Sequence, residues 1–564
     1  MAVFGLRPGG RGVTAYVLAE NSGVILGKVF PRGRPLQPGE LRISAQQALT
    51  YRASGGRLLL QDYWGAYVAL LRAADGRRAC VIRDPSGHIP SYVTAFERVT
   101  VAFADVEDLT DLGLPAFTMD WDEVGAFIRR QAVHGSRCAL TEIRELLAGD
   151  CWQITHGCAR QFPLWNPAEA SEARRLEKHG EAIAELKRVC EDCIGAWSSA
   201  FDRILISLSG GFDSAVVLGC LRGATNRGAV FCVNDLYSDP RSDERRYARS
   251  AAAAAGVQLI ERTLDADDHL LSDRLFATPR TVKPALQYLA SALRVESSRS
   301  IAQQVRPDCM WTGEGGDHAF FQFDTVLTAS DYFAGHGLGP RLLRVLGDTA
   351  RLTRKSFLSV VRESWAARGQ AQCIHREDEE GGAKQFLSAD LLARSGELEP
   401  PRLPCLDDLP PGKQLQILYL LDVMNRHRPL PGVDCFPQLN PLLSQPVLEV
   451  CLQIPTYCLA YGGRRRGLAR EAFRSVVPPE ILARETKGSA GLFVMDILRR
   501  SQKFLREHLL DGILIQQGVL ERAALERCLA RPEAFSITDC RPLLACVAAE
   551  IWARGWATAP KQPG

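Results

Sequence analysis

The 564-residue chain contains no run of roughly 18 apolar residues, the length needed to span a bilayer. Its most apolar stretch, residues 416–424, is far too short. The first ten residues hold neither an apolar segment nor a small-residue cleavage site, so no signal peptide is expected. These absences predict a cytoplasmic protein without a membrane partner. Net charge is also scarce. At +3 for this length it offers no general case for nucleic acid as a partner. No internal repeat is present, which excludes solenoid and propeller architectures.

Cysteine is not scarce, but disulfide patterning is. The 17 cysteines are odd in number, and Cys220, Cys232, Cys451 and Cys546 sit inside apolar or helical stretches. That suits reduced, buried thiols. Cys190 and Cys193 form a C-x-x-C with no second pair at zinc-like spacing, so they are read as neighbours on one helix face. With 46% hydrophobic and 24% charged residues the chain is globular rather than disordered. A single core stops growing at roughly 250–300 residues, so two or more domains are expected.

The pattern changes along the chain. Residues 1 to 166 read as short β pieces broken by Gly and Pro, at 13–18, 57–61, 67–72, 78–83 and 99–104. A helix is predicted over 169–200, after Trp165-Asn166-Pro167. Residues 203–208 form a run of β-formers apolar on both faces, as in a buried parallel strand. A Gly-rich turn and a helix at 215–221 follow, then strands at 229–234 and 257–263. Between these two strands lies a helix at 242–255, with Ser242 at its start, Asp243 and Glu244 in its first turn, and Gly256 as its cap. Strands alternating with helices predict a doubly wound parallel sheet. Residues after about 320 read as mostly helical, and residues 376–382 as a solvated acidic loop.

Ser209-Gly210-Gly211-Phe212-Asp213-Ser214 sits where a buried strand turns into a helix. Two glycines let backbone N–H groups approach a phosphate. The helix N-terminus adds donors and partial positive charge. Ser209 and Ser214 add hydroxyls, and Asp213 is a candidate Mg²⁺ ligand. The Walker A spacing and its Lys are missing.

This segment resembles the pyrophosphate loop of the asparagine synthetase family, within the N-type ATP pyrophosphatases. Cys309-Met310-Trp311-Thr312-Gly313-Glu314-Gly315-Gly316-Asp317 resembles the family's second motif. The resemblance implies ATP and Mg²⁺ as cofactors. It implies that Leu208, Ser209, Gly210, Gly211, Asp213, Ser214, Val233 and Gly313 bind ATP, with its adenine against the backbone near Leu208 and Val233. Asp213 and Asp317 would hold the metal. Glu314 would take the proton from the attacking amine. Pro478-Pro479-Glu480-Ile481-Leu482-Ala483-Arg484-Glu485-Thr486-Lys487 resembles the family's proline, short helix and Arg-to-Lys stretch. It implies Lys487 as the residue that stabilises charge at the α-phosphate.

Tyr63-Trp64-Gly65-Ala66-Tyr67 and Arg83-Asp84-Pro85-Ser86-Gly87-His88-Ile89-Pro90-Ser91-Tyr92 resemble the class II glutaminase domain of the same family. That domain normally begins Met-Cys-Gly; here the start is Met1-Ala2-Val3-Phe4. Without a thiol there no glutamine thioester is expected. The implied fold is an Ntn-type αββα sandwich over 1–166, degenerate as a glutaminase. A synthetase domain over 167–564 would follow, with a doubly wound parallel sheet and a helical C-terminal part.

An adenylating half without an ammonia source points to an amine carried by the substrate. Asn440-Pro441-Leu442-Leu443-Ser444-Gln445-Pro446-Val447-Leu448-Glu449, with Ile454-Pro455, Gly462-Gly463-Arg464 and Ala469-Arg470-Glu471-Ala472-Phe473, resembles the lasso-peptide cyclase branch. That implies macrolactam formation on a processed precursor peptide, with a leader-peptide-binding protein and a leader protease as partners. An ammonia- or small-amine-using amidotransferase, or a β-lactam synthetase-like enzyme, is the alternative. The run Arg464, Arg465, Arg466 is expected on a solvated face.

Overall fold

The computed structural model describes residues 14–33, 43–73, 75–96, 99–111, 116–130, 135–155, 158–224, 228–237, 242–368, 384–394, 404–426, 429–430, 433–486, 488 and 490–557. The expectations for Met1-Ala2-Val3-Phe4, for the acidic loop at 376–382 and for Lys487 lie outside the described residues.

The N-terminal part is built from two antiparallel sheets. In the larger, the strands run in the spatial order Ala15–Leu18, Gly23–Pro31, Tyr63–Arg72, Arg78–Arg83, Asp150–Thr155 and Cys158–Pro163. In the smaller, Tyr92–Phe96 lies between Val99–Phe103 and Ile143–Glu145. The sheets face each other through Val68, Val81 and Trp152 on one side and Val93 on the other. The outer face of the larger sheet meets the helices Ala45–Ala53 and Arg57–Asp62 through Tyr51, Leu59 and Leu60. The smaller sheet packs Tyr92 and Ile143 against Val124, Phe127 and Ile128 of the helix Trp121–Arg130. The layers are therefore helix, sheet, sheet, helix.

Two local expectations fail here. Residues 57–61 form a helix, not a strand. Gly55 and Gly56 both have positive φ and start it, and its leucines are good helix formers, Leu59 and Leu60 buried beneath the sheet. The helix expected over 169–200 is two pieces, Pro167–Glu172 and His179–Ser198. Between them Leu176 is buried, and its N–H donates to Gln453 O at 3.0 Å, so a tertiary contact takes the chain out of the helix.

The second sheet is wholly parallel, in the order Gln258–Leu264, Ala229–Tyr237, Arg203–Ser207, Cys309–Trp311, Gln438–Leu439. Ile204, Ile206 and Trp311 pack on one face with Trp197, Val216 and Val217. Leu205 and Val233 pack on the other with Ile301 and Val305. The sheet is thus doubly wound, and the strand order reverses between Arg203–Ser207 and Cys309–Trp311. Ligands bind outside the carboxyl ends of strands at such a reversal. Both motif loops begin there. Among the described residues after 320 the chain is mostly helical, with a short strand at Gln438–Leu439.

One core crosses residue 166. Trp64 and Tyr67 of the sandwich belong to the same buried cluster as Trp197, Ile204 and Trp311. Arg32 clasps Glu449 with both terminal guanidinium nitrogens, at 2.6 and 2.9 Å. Cys190 and Cys193 are both buried on the helix His179–Ser198, and burial pushes both thiols up, as expected of packing residues. Among the described residues no disulfide forms, no helix is long and apolar enough to cross a membrane, and no cluster of three or more His, Cys, Asp or Glu is placed to hold a metal.

Candidate active site

The strand Arg203–Ser207 delivers Ser209-Gly210-Gly211 to the N-terminus of the helix Phe212–Arg222. Gly210 has φ +74°, and a Cβ there would stand 2.8 Å from Glu244 O. Only glycine suits that position. Ser209 Oγ accepts from Gly211 N–H at 3.3 Å and lies 3.4 Å from Ser214 Oγ. The loop is thus closed on itself by its own hydroxyls. Leu208 is fully buried. Its N–H donates to Val233 O at 2.8 Å, and its carbonyl accepts from Asn234 Nδ2 at 2.7 Å. Those groups at Leu208 serve the sheet, whereas Val233, the other residue expected at the adenine, lines an open cavity.

The second motif lies directly on the first. A Cβ on Gly313 would be 2.5 Å from Ser214 N, and one on Gly316 would be 2.6 Å from Asp213 Oδ1. The glycines of the second loop let Asp213, Ser214, Glu314 and Asp317 share one place. Asp213 is 7% exposed, and its Oδ1 is buried without a hydrogen-bond partner. Such an oxygen costs free energy unless a ligand completes it. Asp213 and Asp317 both contact the Arg466 guanidinium. Two carboxylates close enough to share one cation suit Mg²⁺, which takes one or two carboxylates and fills its shell from water and phosphate.

Glu314 is held by its neighbours. Its N–H donates to Thr312 Oγ1 at 3.0 Å, and its Oε2 accepts from Asn440 Nδ2 at 3.3 Å. Thr312 Oγ1 also donates to Asn440 Oδ1 at 2.7 Å. Burial pushes the Glu314 carboxyl above its ordinary range, Arg426 opposing and Asp422 reinforcing the shift. His318, one turn on, is driven down to about 4 by burial and Arg426. It is neutral at physiological pH.

The arginine run departs from expectation. Arg465 is exposed and pairs with Asp324, but Arg466 and Arg470 are each only 8% exposed. The solvated-face expectation therefore fails at Arg466, because two carboxylates from distant loops draw it inward. Arg470 donates to the carbonyls of Leu482 at 2.6 Å and Arg484 at 3.0 Å. Glu244 likewise leaves its expected place in a helix, which starts at Arg245. Its carboxylate instead pairs with Arg484 and accepts from Gly488 N–H at 2.5 Å. Sequence reasoning also passed over His88 and Asn440 as site residues. The signal was present in both motifs, but nothing in their spacing shows that they meet.

Two cavities open here. One, of about 740 Å³, runs over the sheet face past Ser207, Val233 and Met310 to Glu314 and Arg426. The other, of about 520 Å³, lies beyond Gly211, Phe212 and Asp213 on the side of the arginine run.

A family model described as asparagine synthase matches residues 185–396 and 440–554. No curated protein matches the chain. Among solved structures, the allosteric regulatory enzyme of purine biosynthesis is similar at 12% identity over 45% of this chain and 62% of that one, with a TM-score of 0.17. The glutamine-dependent NAD+ synthetase from Acinetobacter baumannii in complex with ADP is similar at 13% identity over 48% and 64%, with a TM-score of 0.19. The glutamine phosphoribosylpyrophosphate amidotransferase from B. subtilis complexed with ADP and GMP is similar at 12% identity over 53% and 72%, with a TM-score of 0.17. The chain spans less than two thirds of the first two.

Proposed function

The chain belongs to the asparagine synthase family, whose model covers more than half of its residues, and from that premise we propose that it is an ATP-dependent amide-forming ligase. In this reading residues 1–166 are a glutaminase-like scaffold and residues 167–564 carry the chemistry. The observation that carries it is the contact of the two motif loops at the strand-order reversal, with Gly313 against Ser214 and Gly316 against Asp213. That geometry brings a phosphate loop, two metal-capable carboxylates and a carboxylate of raised proton affinity together.

A substrate carboxylate oxygen attacks the α-phosphorus of ATP, and pyrophosphate leaves. An amine then attacks the acyl carbon, AMP leaves, and the amine proton passes to Glu314. Ser209, Gly210, Gly211 and Ser214 would hold the pyrophosphate, and Asp213 and Asp317 would hold Mg²⁺. When bound, the ion neutralises charge on the transferring phosphates. Lys487 would assist at the α-phosphate.

For the substrate we propose an Asp or Glu side chain of a processed precursor peptide, joined to the peptide's own N-terminal amine to close a macrolactam. Two things support a bulky acceptor over ammonia. The cavity that would take the adenine at Val233 continues to Glu314 and, at about 740 Å³, leaves room there for more than ammonia. The segment 440–449, whose sequence suggested the lasso-cyclase branch, supplies Asn440, which holds Glu314. A leader-peptide-binding protein and a leader protease would act upstream.

The test is pyrophosphate–ATP exchange with the purified chain. A peptide with a free N-terminus and an internal Asp or Glu should drive exchange and lose one water on cyclisation, with AMP as co-product. Exchange with aspartate and none with peptide would favour the small-amine reading. ADP as product would remove both.

A further inference from the structure

Among the described residues nine large apolar side chains are exposed, and five of them fall between Leu338 and Trp365. Single exposed apolar residues are ordinary, but a cluster marks a contact surface. Leu338 is 83% exposed, Leu358 80%, Leu343 74% and Trp365 51%. They lie on the helices Leu342–Thr353 and Phe357–Ala367 and in the turn before the first of these. With Leu327–His336 these helices form one unit, joined through Tyr332, Phe333, Val345, Leu346 and Val360. In Phe357–Ala367 the buried side is Val360, Ser364 and Ala367. Leu358, Arg362 and Trp365 repeat that spacing on the exposed side. The Trp365 ring meets Phe333 edge-on at 5.6 Å, near the end of Leu327–His336. The turn bearing Leu338 closes over the same end, where Arg341 N–H donates to the Tyr332 hydroxyl at 3.0 Å.

The same stretch is basic. Residues 338–368 hold seven Lys and Arg against two Asp and Glu. Both acids are taken, Asp348 by Arg351 and Glu363 by Lys355. Arg344 shares Asp348 at 4.0 Å, and Arg354 lies 3.9 Å from Glu485. Arg341, Arg362 and Arg368 remain, all exposed and, among the described residues, in no ion pair. Arg368 stands over the Trp365 ring, 3.4 Å from its centre. Arg362 and Arg368 lie three residues before and after Trp365, so ring and cations share the exposed side.

We propose that the exposed side of the helix Phe357–Ala367, with Leu338 and Leu343 beside it, is a docking face for an anionic phospholipid surface. A second copy of the chain would set this positive charge against itself. A folded partner would need a hollow for each side chain that stands proud. A fluid lipid layer needs none: acyl chains close around the leucines, the Trp365 ring sits at headgroup level, and the free guanidinium groups reach lipid phosphates. Such a contact uses side chains of one face and requires no spanning segment. The helix Leu342–Thr353 carries Leu343 at one end and, at the other, Arg351, Leu352 and Thr353, which line the 520 Å³ cavity beside Asp213. Docking therefore holds that cavity within one helix length of the headgroups.

The experiment is co-sedimentation of the full chain with vesicles of equal parts phosphatidylglycerol and phosphatidylcholine, and with vesicles of phosphatidylcholine alone. Wild type should bind the anionic vesicles, bind the neutral ones far less, and lose most of its binding at about 0.5 M salt. Leu358→Ser and, independently, Leu343→Ser should each weaken partitioning about tenfold, the effect of withdrawing one leucine from the lipid. Arg362→Gln should weaken it about fivefold. All three side chains are exposed, so thermal melts of the variants should match wild type. Val17→Ser, at a position 83% exposed on the sandwich, is the control and should bind as wild type does. No binding to anionic vesicles overturns the docking face, as do equal binding to neutral ones and unchanged partitioning in both leucine variants. Sedimentation velocity without vesicles covers the other occupant: a dimer that Leu358→Ser dissolves would assign the face to a second copy and overturn the lipid contact.

Discussion

The main-chain N–H of Asn440 donates to Nε2 of His88 at 2.8 Å. Nε2 is the acceptor, so the ring proton is on Nδ1, which lies 2.8 Å from Ser86 Oγ. His88 belongs to the sandwich, yet Asn440 carries the amide that reaches Glu314. The sandwich would be needed for this contact whatever chemistry it carries itself.

His88→Ala should therefore slow amide formation by roughly tenfold to a hundredfold, the scale of a small misplacement of a reacting group. The KM for ATP should not move. His88→Gln, which can still present an acceptor, should recover most of the rate. Steady-state kinetics with both substrates varied is the measurement. An equal loss in ATP affinity, or no recovery in His88→Gln, would show that His88 only holds the fold.

Glu314 must be ionised to accept a proton, and burial raises its folded pKa above the ordinary 4.5. The rate should thus fall as pH drops through that raised value, with the active form present above it. The attacking amine, free pKa about 7.7–8.0, adds a second limb of the same sign at higher pH. Glu314→Gln should remove the lower limb alone, reduce amide formation by roughly 10²–10⁴-fold, and keep substrate-driven pyrophosphate exchange. A pH profile of the variant parallel to wild type would assign the limb to another group.

Gly313→Ala tests the contact between the loops. Its Cβ would meet backbone, Ser214 N at 2.5 Å and the Asp213 carbonyl carbon at 2.8 Å, so the loops must part. The expected cost is about 1–3 kcal/mol of stability, as for other overpacked sites, with a weaker affinity for ATP. Gly180, where a Cβ meets nothing within 4 Å, is the control. There alanine should be neutral or slightly stabilising in a thermal melt. Equal behaviour of the two variants would contradict the packing seen here.

Much of this site was legible because it obeys local rules. Residues 203–208 are apolar on both faces, so a buried parallel strand could be read, and the glycines after it could be read as a tight turn into a helix. What escaped depends on contacts between distant segments. Leu58, Leu59 and Leu60 look like a strand until the sheet above them needs a helix. Leu176 breaks a helix because Gln453 O is waiting for its N–H. Arg466 looks like one of three surface arginines until Asp213 and Asp317 are brought to it. No spacing in the chain encodes that meeting.

The last prediction concerns how the two halves are joined. Arg83 and Glu145 are fully buried, and Lys283 is 6% exposed. Arg83 Nη1 lies 3.2 Å from Glu145 Oε1, and Lys283 Nζ lies 2.5 Å from Glu145 Oε2. Arg83 also donates to Leu146 O at 2.8 Å and Gly87 O at 2.6 Å. One carboxylate therefore pairs directly with two buried cations, one from each half of the chain. Burying such charges is costly, so the net gain from the trio over an apolar set is small, but removing one member strands the others. Glu145→Gln keeps the shape and strands both cations, which should cost about 3–5 kcal/mol. Lys283→Met leaves the Arg83–Glu145 pair standing and should cost less. The double variant should then be more stable than the sum of the two losses predicts, because the cation that Glu145→Gln would strand is already gone. Urea midpoints at constant m-value give the three numbers. A Glu145→Gln loss below about 0.5 kcal/mol, the scale of a surface substitution, would mean that the trio does not hold the halves together.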